Sequence, residues 1–465
     1  CLSVFPSITP AATASLATGH YPAEHGIAGA FWYEAQQARV AYYGDDLRVV
    51  LEQGFGNFVS DFLFRLNFER LLSDPVFERV EREGRQAAVL NYMWFRGAVP
   101  HQVNAPFLLE MLPGVEFEET VRGPSVLCLG DFVTTQPPGA DQPLESVGGF
   151  TRRFGFHDEA TAEYLRGLAA LGPLPEFTLA YFPNNDYESH CSGPEAALAV
   201  VEQVDAALRD VMELRGGVDA FLRETAIIIT GDHSQGDQFA DAAEREICLD
   251  QLLSDFALGT TGMAWEPGDD LLVCPNMRAA QIYTSSAVEA DRHGELTEAL
   301  LSDPRVDQII WRDGEHTFRV KTRDRGELSF SRCTAGQAGD GLTDDYGNRW
   351  EATGDLSAVD AAADASGRLI WGDYPNALER ITGGFSEVSG SLWGTCLPGT
   401  EFRLPETSTH PGGTHGSLHK VDSTSLLIAA GIPDEVEVPE KPRIVDVAPL
   451  CLNVLGIKAD SSAAQ

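Results

Sequence analysis

Short apolar runs recur along this chain, and each stops at a cluster of Gly, Pro, Asp or Thr. Leu2 to Phe5 is the first, and Pro6 breaks it, which predicts a strand ending in a turn. Thr9-Pro10 then opens a helix that runs towards Thr18 and stops at Gly19. Thr is a favoured N-cap, and Pro is favoured at the first helical position. The pattern predicts further strands over Gln86 to Phe95, Phe177 to Phe182 and Thr225 to Thr230. The last contains Ile227-Ile228-Ile229, the continuous apolar run of a buried parallel strand. Glu195 to Met212 has helical spacing, with Val200, Val201, Val204, Leu208 and Val211 on one face. Ser423 to Ala430 is another apolar stretch, and Val445 to Leu455 predicts a closing helix. Strands alternating with helices predict an α/β fold, a sheet with helices on both faces.

The pattern changes over residues 250–405. This stretch is rich in Gly, Asp and Thr, and its apolar positions alternate, as in Thr317-Phe318-Arg319-Val320-Lys321. It predicts an inserted cap, between a first part of the core at residues 1–249 and a closing part at residues 406–465. Asp360 to Ser366 predicts a surface loop, and no internal repeat is found.

Composition narrows the classes. The 465 residues are 43% hydrophobic, enough for a sizeable core. No apolar run is long enough to span a bilayer. The formal net charge of −37 argues against general nucleic-acid binding, which needs a cationic surface. An anionic substrate would need local positive charge, such as bound divalent cations. None of the eight cysteines forms a Cys-x-x-Cys pair, which argues against a zinc ribbon. Cys274 follows Leu271-Leu272-Val273 and reads as a buried small hydrophobe, while disulfides stay open.

Four clusters carry chemistry, and three follow predicted strands, where open α/β sheets place their sites. Phe5-Pro6-Ser7-Ile8-Thr9 puts a hydroxyl at a helix N-terminus, where free amides favour a phosphate or a developing oxyanion. Asp186 and His190 stand four residues apart, able to reach one ion from a helical turn or a tight loop. Thr230-Gly231-Asp232-His233 places a carboxylate and an imidazole at the rim of an apolar strand. Gly412-Gly413-Thr414-His415-Gly416 leaves an imidazole unobstructed between glycines. Singly, each has a plainer reading: Thr9 as an N-cap, Asp186 and His190 as a surface pair, Asp232 as a helix cap, His415 as a loop residue. Together they make a two-metal hydrolytic set. His410 and His419 flank the fourth cluster without an assigned role.

With these residues in this order, the sequence resembles the alkaline phosphatase superfamily. The closest branch is the one holding type I phosphodiesterase/nucleotide pyrophosphatases and phosphonoacetate hydrolases. The segment from Pro6 to Gly19, then Tyr21-Pro22-Ala23-Glu24-His25-Gly26-Ile27, is similar to that branch's nucleophile region. The resemblance implies a three-layer α/β/α sandwich of alkaline phosphatase type with an inserted α+β cap. It implies two divalent ions, with zinc, manganese and iron all compatible. One would be held by Asp186, His190 and His415, the other by Asp232, His233 and the Thr9 oxygen. Thr9 would attack phosphorus, and water would release the phospho-threonine. The implied activity is hydrolysis of a phosphodiester, pyrophosphate or phosphonate bond in a small-molecule substrate. A phosphomutase or phosphotransferase, or a binding protein with a degenerate site, are the competing readings.

Two departures qualify the resemblance. The family takes one more metal-binding Asp from a strand earlier than Leu2. Either that Asp lies in residues outside this sequence, or the Thr9-side ion has one ligand fewer. Phosphodiesterase relatives also carry an Asn shortly after His-Gly-Ile, on the phosphoryl oxygen, and here Ala30 stands at about that place. Another donor or another substrate is implied. Phe31-Trp32-Tyr33 is placed either to wall a substrate pocket or to pack the core.

Overall fold

The computed structural model describes residues 1–44, 49–50, 61–104, 120–137, 140–141, 144, 148–333 and 341–458. Helix α1 runs over Thr9–Thr18, and Gly19 ends it in the left-handed region at φ 76°. The N-cap is Ile8, with extended dihedrals and no side-chain cap. Thr9 is therefore the first helical residue and not the cap expected from its type. Its hydroxyl is engaged elsewhere, with His233. The strand expected over Leu2 to Phe5 is reduced to isolated bridges from Leu2 to Arg443 and to Thr424. The Val4 carbonyl accepts from the Ser7 hydroxyl and from Arg380 instead of from a neighbouring strand. Strand β1, Phe31–Glu34, is buried throughout.

The first sheet is built on β2 (Ala87–Leu90), β3 (Val126–Leu129), β4 (Val133–Thr134) and β5 (Phe177–Ala180), in the order β4-β3-β2-β5. β2 pairs in parallel with both β3 and β5, and β4 turns back antiparallel on β3. Helices α2 (Asp158–Leu171), α3 (Asn184–Ser192) and α4 (Leu198–Leu214) flank the ends of β5. On α4 only Ala207 and Val211 are fully buried, while Val200, Val204 and Leu208 are half-buried and Val201 is exposed.

β6, Ile227–Thr230, departs from expectation. It pairs antiparallel with Leu427–Ala430, with Ile227 opposite Ala430, and its residues are half-buried. An apolar run establishes that a strand forms, but it carries no information on the partner's direction. A short strand β7, Gly236–Asp237, follows.

The largest sheet has eight strands: β8 (Leu271–Asn276), β9 (Ala279–Thr284), β10 (Val306–Arg312), β11 (Thr317–Lys321), β12 (Glu327–Arg332), β13 (Leu342–Thr343), β14 (Arg349–Gly354) and β15 (Leu392–Cys396). Their order is β8-β9-β15-β10-β11-β12-β14-β13. Neighbours are antiparallel, as the alternating pattern at Thr317 to Lys321 leads one to expect. Helix α5, Ala377–Gly384, packs on it. Its core of Phe318, Phe330, Trp350 and Trp393 takes in Phe5, whose ring meets Trp393 edge-on at 5.3 Å. The segment leading to Thr9 is thus anchored in this sheet. Asp360 to Ser366 is not a plain loop, because Ala361–Ala363 pairs with Leu369–Trp371.

Strand β16 (Gly413–Thr414) pairs antiparallel with β7, and β17 (Leu427–Ala430) is the partner of β6. The closing helix α6 spans Val447–Val454 after a 3-10 turn at Ile444–Asp446. All eight cysteines are free, with Cys274 buried as expected. No described helix is long and apolar enough to cross a membrane.

Candidate metal centre and nucleophile

Asp186 and His190 lie on α3, which puts them one turn apart on the same face. Asp232 and His233 follow β6 directly, and His415 follows β16. The β7–β16 pairing sets Gly236 opposite Thr414 and so brings the His233 loop against His415. Their rings stack with centroids 3.7 Å apart. The six residues singled out in the sequence meet in one place.

The three imidazoles share one orientation. Nδ1 lies on a backbone carbonyl in each: His190 on Gly413 at 2.8 Å, His415 on Ser7 at 2.6 Å, His233 on Ser234 at 3.2 Å. A carbonyl oxygen only accepts, so Nδ1 carries the proton and Nε2 turns a lone pair inward. His415 Nε2 and His190 Nε2 then face each other at 3.3 Å. Asp186 Oδ1 lies 3.6 Å from His190 Nε2, 3.9 Å from His233 Nε2 and 3.8 Å from His415 Nε2. Lone pairs converging without a proton between them repel, and a cation at their centre removes that repulsion. Asp186, His233 and His415 have ligand atoms all within 4.8 Å of one another, the spacing of a metal site.

Asp232 fits the same reading. Its Oδ2 sits 3.5 Å from His233 Nε2, is buried, and has no hydrogen-bond partner among the described residues. Burial pushes its carboxyl above the ordinary carboxylate range; His233 opposes the shift, and the charge of Asp186 adds to it. Burial also drives the His415 ring well below its ordinary value, helped by His233 and His190. It lowers His190 too, against the pull of Asp186. The His190 and His415 rings are thus held neutral, the form that binds metals.

Thr9 Oγ1 is 3.0 Å from His233 Nε2. With Nε2 as acceptor, the Thr9 hydroxyl donates. Thr9 is half-buried at the start of α1, so it faces the centre while remaining reachable.

Several site neighbours gave no clear signal in the sequence. Gln235 Nε2 donates to Asp186 Oδ1 at 2.5 Å and fixes that carboxylate. His410 packs its ring 4.1 Å from that of His190, and its Nδ1 lies 2.9 Å from buried Glu401. Arg153 donates to Asn184 Oδ1 and lays its guanidinium 4.6 Å from the Tyr187 ring, beside α3. Only the places of Gln235 beside Asp232-His233 and of His410 beside the fourth cluster hinted at any of these.

Other expectations resolve differently. His25 lies in the core, its Nδ1 accepting from the Ile27 amide at 3.1 Å and its Nε2 facing Ser15 Oγ at 2.9 Å. Trp32 and Tyr33 are core residues, while Phe31 also lines a small cavity shared with Ile8, Met277 and His410. The Ala30 amide donates to Asn276 Oδ1 at 2.8 Å.

An α/β fold with this cluster at its strand ends is similar to solved ectonucleotide pyrophosphatase/phosphodiesterases. Murine ectonucleotide pyrophosphatase/phosphodiesterase 5 is 12% identical, with a TM-score of 0.53 over 98% of this chain and 86% of that one. The human protein of the same name is 15% identical, with a TM-score of 0.52 and the same coverage. An inactive form of the murine protein, solved in complex with AMP, gives a TM-score of 0.54 at 12% identity, again covering 98% and 86%. No curated protein matches the chain in sequence. The profile of the type I phosphodiesterase/nucleotide pyrophosphatase family matches residues 1–330, and the chain belongs to that family. It is a hydrolase of the phosphodiesterase type.

Proposed function

We propose that this enzyme hydrolyses phosphodiester, pyrophosphate or phosphonate bonds by nucleophilic attack of Thr9 on phosphorus. The observation that carries this reading is the convergence of acceptor atoms from Asp186, His190, His233 and His415 beside a donating Thr9 hydroxyl. Asp186, His190 and His415 would hold one divalent cation. Asp232, His233 and the Thr9 oxygen would hold the second. Zinc suits this donor set, and manganese and iron also fit it. When bound, such ions supply charge that acidifies a hydroxyl and neutralises phosphoryl oxygens.

The chain's own residues do the rest. His233 orients the Thr9 hydroxyl, and the first turn of α1 offers amide dipoles to a phosphoryl oxygen. Attack forms a Thr9 phosphoester and releases the leaving group; water then cleaves that ester and regenerates the hydroxyl. The neighbour solved with AMP makes nucleotides the first substrates to try. In the same reading the eight-stranded sheet is a cap set into a three-layer α/β/α core formed by residues 1–249 and 406–465.

The test is metal content together with hydrolysis of bis-p-nitrophenyl phosphate, p-nitrophenyl phosphate and phosphonoacetate. Two bound ions and loss of turnover with chelator are expected. Thr9→Ala should lower kcat by on the order of a thousandfold or more. Full chelator-sensitive turnover in Thr9→Ala would remove Thr9 as nucleophile, and phosphorylated alcohol products would point to a transferase.

A further inference from the structure

The hairpin tip between β8 and β9 carries Arg278 into the core, where it meets Asp422. Both side chains are 0% exposed, and Nη1 lies 2.5 Å from Oδ1. We propose that this buried ion pair is the positioning device for the two loops that carry His233 and His415, so that the eight-stranded sheet completes the centre as well as covering it. The inference rests on the metal-centre reading above.

Each arm of the pair grips one loop. Arg278 Nη2 donates to the carbonyls of Gly236 at 2.9 Å and Asp237 at 3.2 Å, just past His233. Asp422 Oδ2 accepts from the Ser417 amide at 2.9 Å and the Ser417 hydroxyl at 2.6 Å, just past His415. The backbones join as well. The Ser234 amide donates to the Asp422 carbonyl at 2.8 Å, and the Arg278 amide to the His415 carbonyl at 2.9 Å.

The loops approach so closely that glycine is needed at both. A Cβ on Gly236 would stand 2.9 Å from Arg278 Nη1 and 2.4 Å from Val421 Cγ1. Gly416, at φ +124°, would place one 2.8 Å from the Asn276 carbonyl. A second buried guanidinium reinforces the arrangement. Arg380 donates to the Leu418 carbonyl at 2.7 Å and to Ser7 Oγ at 3.1 Å, and the Ser7 carbonyl is the acceptor for His415 Nδ1.

Stability alone is a poor explanation. A buried ion pair is often replaced by apolar residues of similar volume with no loss of stability. Arg278 Nε is moreover buried without a hydrogen-bond partner among the described residues. What apolar residues cannot reproduce is the directed grip on three backbone groups and a hydroxyl.

The experiment compares wild type, Arg278→Met/Asp422→Leu and Arg278→Lys. Zinc affinity is measured by calorimetry on the metal-free protein, with kcat and KM, melting temperature, and carbethoxylation of His415 followed by mass spectrometry. The double variant leaves those backbone groups unpaired, so it is expected to melt somewhat lower than the wild type, and, measured well below its melting temperature, to bind zinc about tenfold or more weakly. Its kcat should fall with KM little changed, and His415, protected in the wild type, should become modified. Arg278→Lys keeps the charge but cannot span Asp422 and both carbonyls. It should move the same readouts in the same direction, and it decides the matter if the double variant does not fold. Wild-type zinc affinity, kcat and His415 protection in a folded variant would overturn the proposal. Absence of zinc binding in the wild type would instead refute the metal centre, while His415 protection would still report on the pair.

Discussion

His25 shows how a residue inside a recognisable motif can serve the fold and not the chemistry. It is fully buried, with both ring nitrogens engaged, and burial brings its pKa from the ordinary 6.5 down to about 3. In the unfolded chain the ring takes up a proton below the ordinary value, and in the folded chain it does not. Its contribution is therefore complete above pH 6.5 and is lost as pH falls towards 3, at about 1.4 kcal/mol per pH unit. Urea unfolding at pH 7 and pH 5 should show a drop of about 2 kcal/mol from this residue. His25→Asn should be less stable at pH 7 but lose less on acidification. An equal loss in both proteins would show that His25 is not held neutral. At this scale the sequence was most legible for Thr9, Asp186, His190, Asp232, His233 and His415, because each sits in a local pattern. Gln235, Arg278 and Asp422 were not legible, because their partners are distant in sequence and their types are common on any surface.

At the scale of elements, α3 does the most positioning, since it carries both Asp186 and His190. Its N-cap, Pro183, makes no side-chain cap. The first amide of the helix, that of Asn184, instead donates to Asp158 Oδ1 at 2.8 Å, a carboxylate supplied by α2. Asp158→Ala should cost about 1 kcal/mol, as loss of an N-cap does. It should also weaken metal binding measured by competition with a chelator, because the first turn of α3 then frays. Unchanged affinity with lowered stability would confine Asp158 to the fold. The helices α1, α4 and α6 and strands β2, β5, β6 and β11 were foreseeable from apolar runs and breakers, whereas the sequence left α3 open between a helical turn and a tight loop. The antiparallel pairing of β6 with β17 was not, because strand direction is set by which partner the topology delivers. The helix expected over Glu195 to Met212 forms as α4, displaced a few residues towards the C-terminus. Such ends depend on capping geometry and not on periodicity.

At the scale of the molecule, the chain carries a net charge of −37 and acts on a class of substrate that is anionic. The long-range field therefore opposes encounter, and salt screens that field within about 8 Å at physiological ionic strength. With an anionic phosphodiester, kcat/KM should rise by a few-fold between about 10 and 150 mM salt, mainly through KM. A fall over the same range would mean that local cations, Arg153 beside α3 among them, already dominate the approach. Residues 250–405 were expected to form an inserted cap with alternating strand-like runs, and the run at Thr317–Lys321 is a strand of the eight-stranded sheet. The contact of its β8–β9 hairpin with the loops that carry His233 and His415 was not foreseen, because the partners of Arg278 are distant in sequence.

Strands β5 and β6 are apolar yet half-buried, and among the described residues each pairs on one side only, β5 with β2 and β6 with β17. Ile428 of β17 is 52% exposed beside them. An unpaired strand side presents amides and carbonyls that a further strand, of this chain or of another, can join. A net charge of −37 makes molecules of this chain repel one another. High salt, which eases substrate approach, screens the same repulsion, so light scattering should show more association at high salt than at low salt. Conditions that favour catalysis and conditions that favour storage pull in opposite directions.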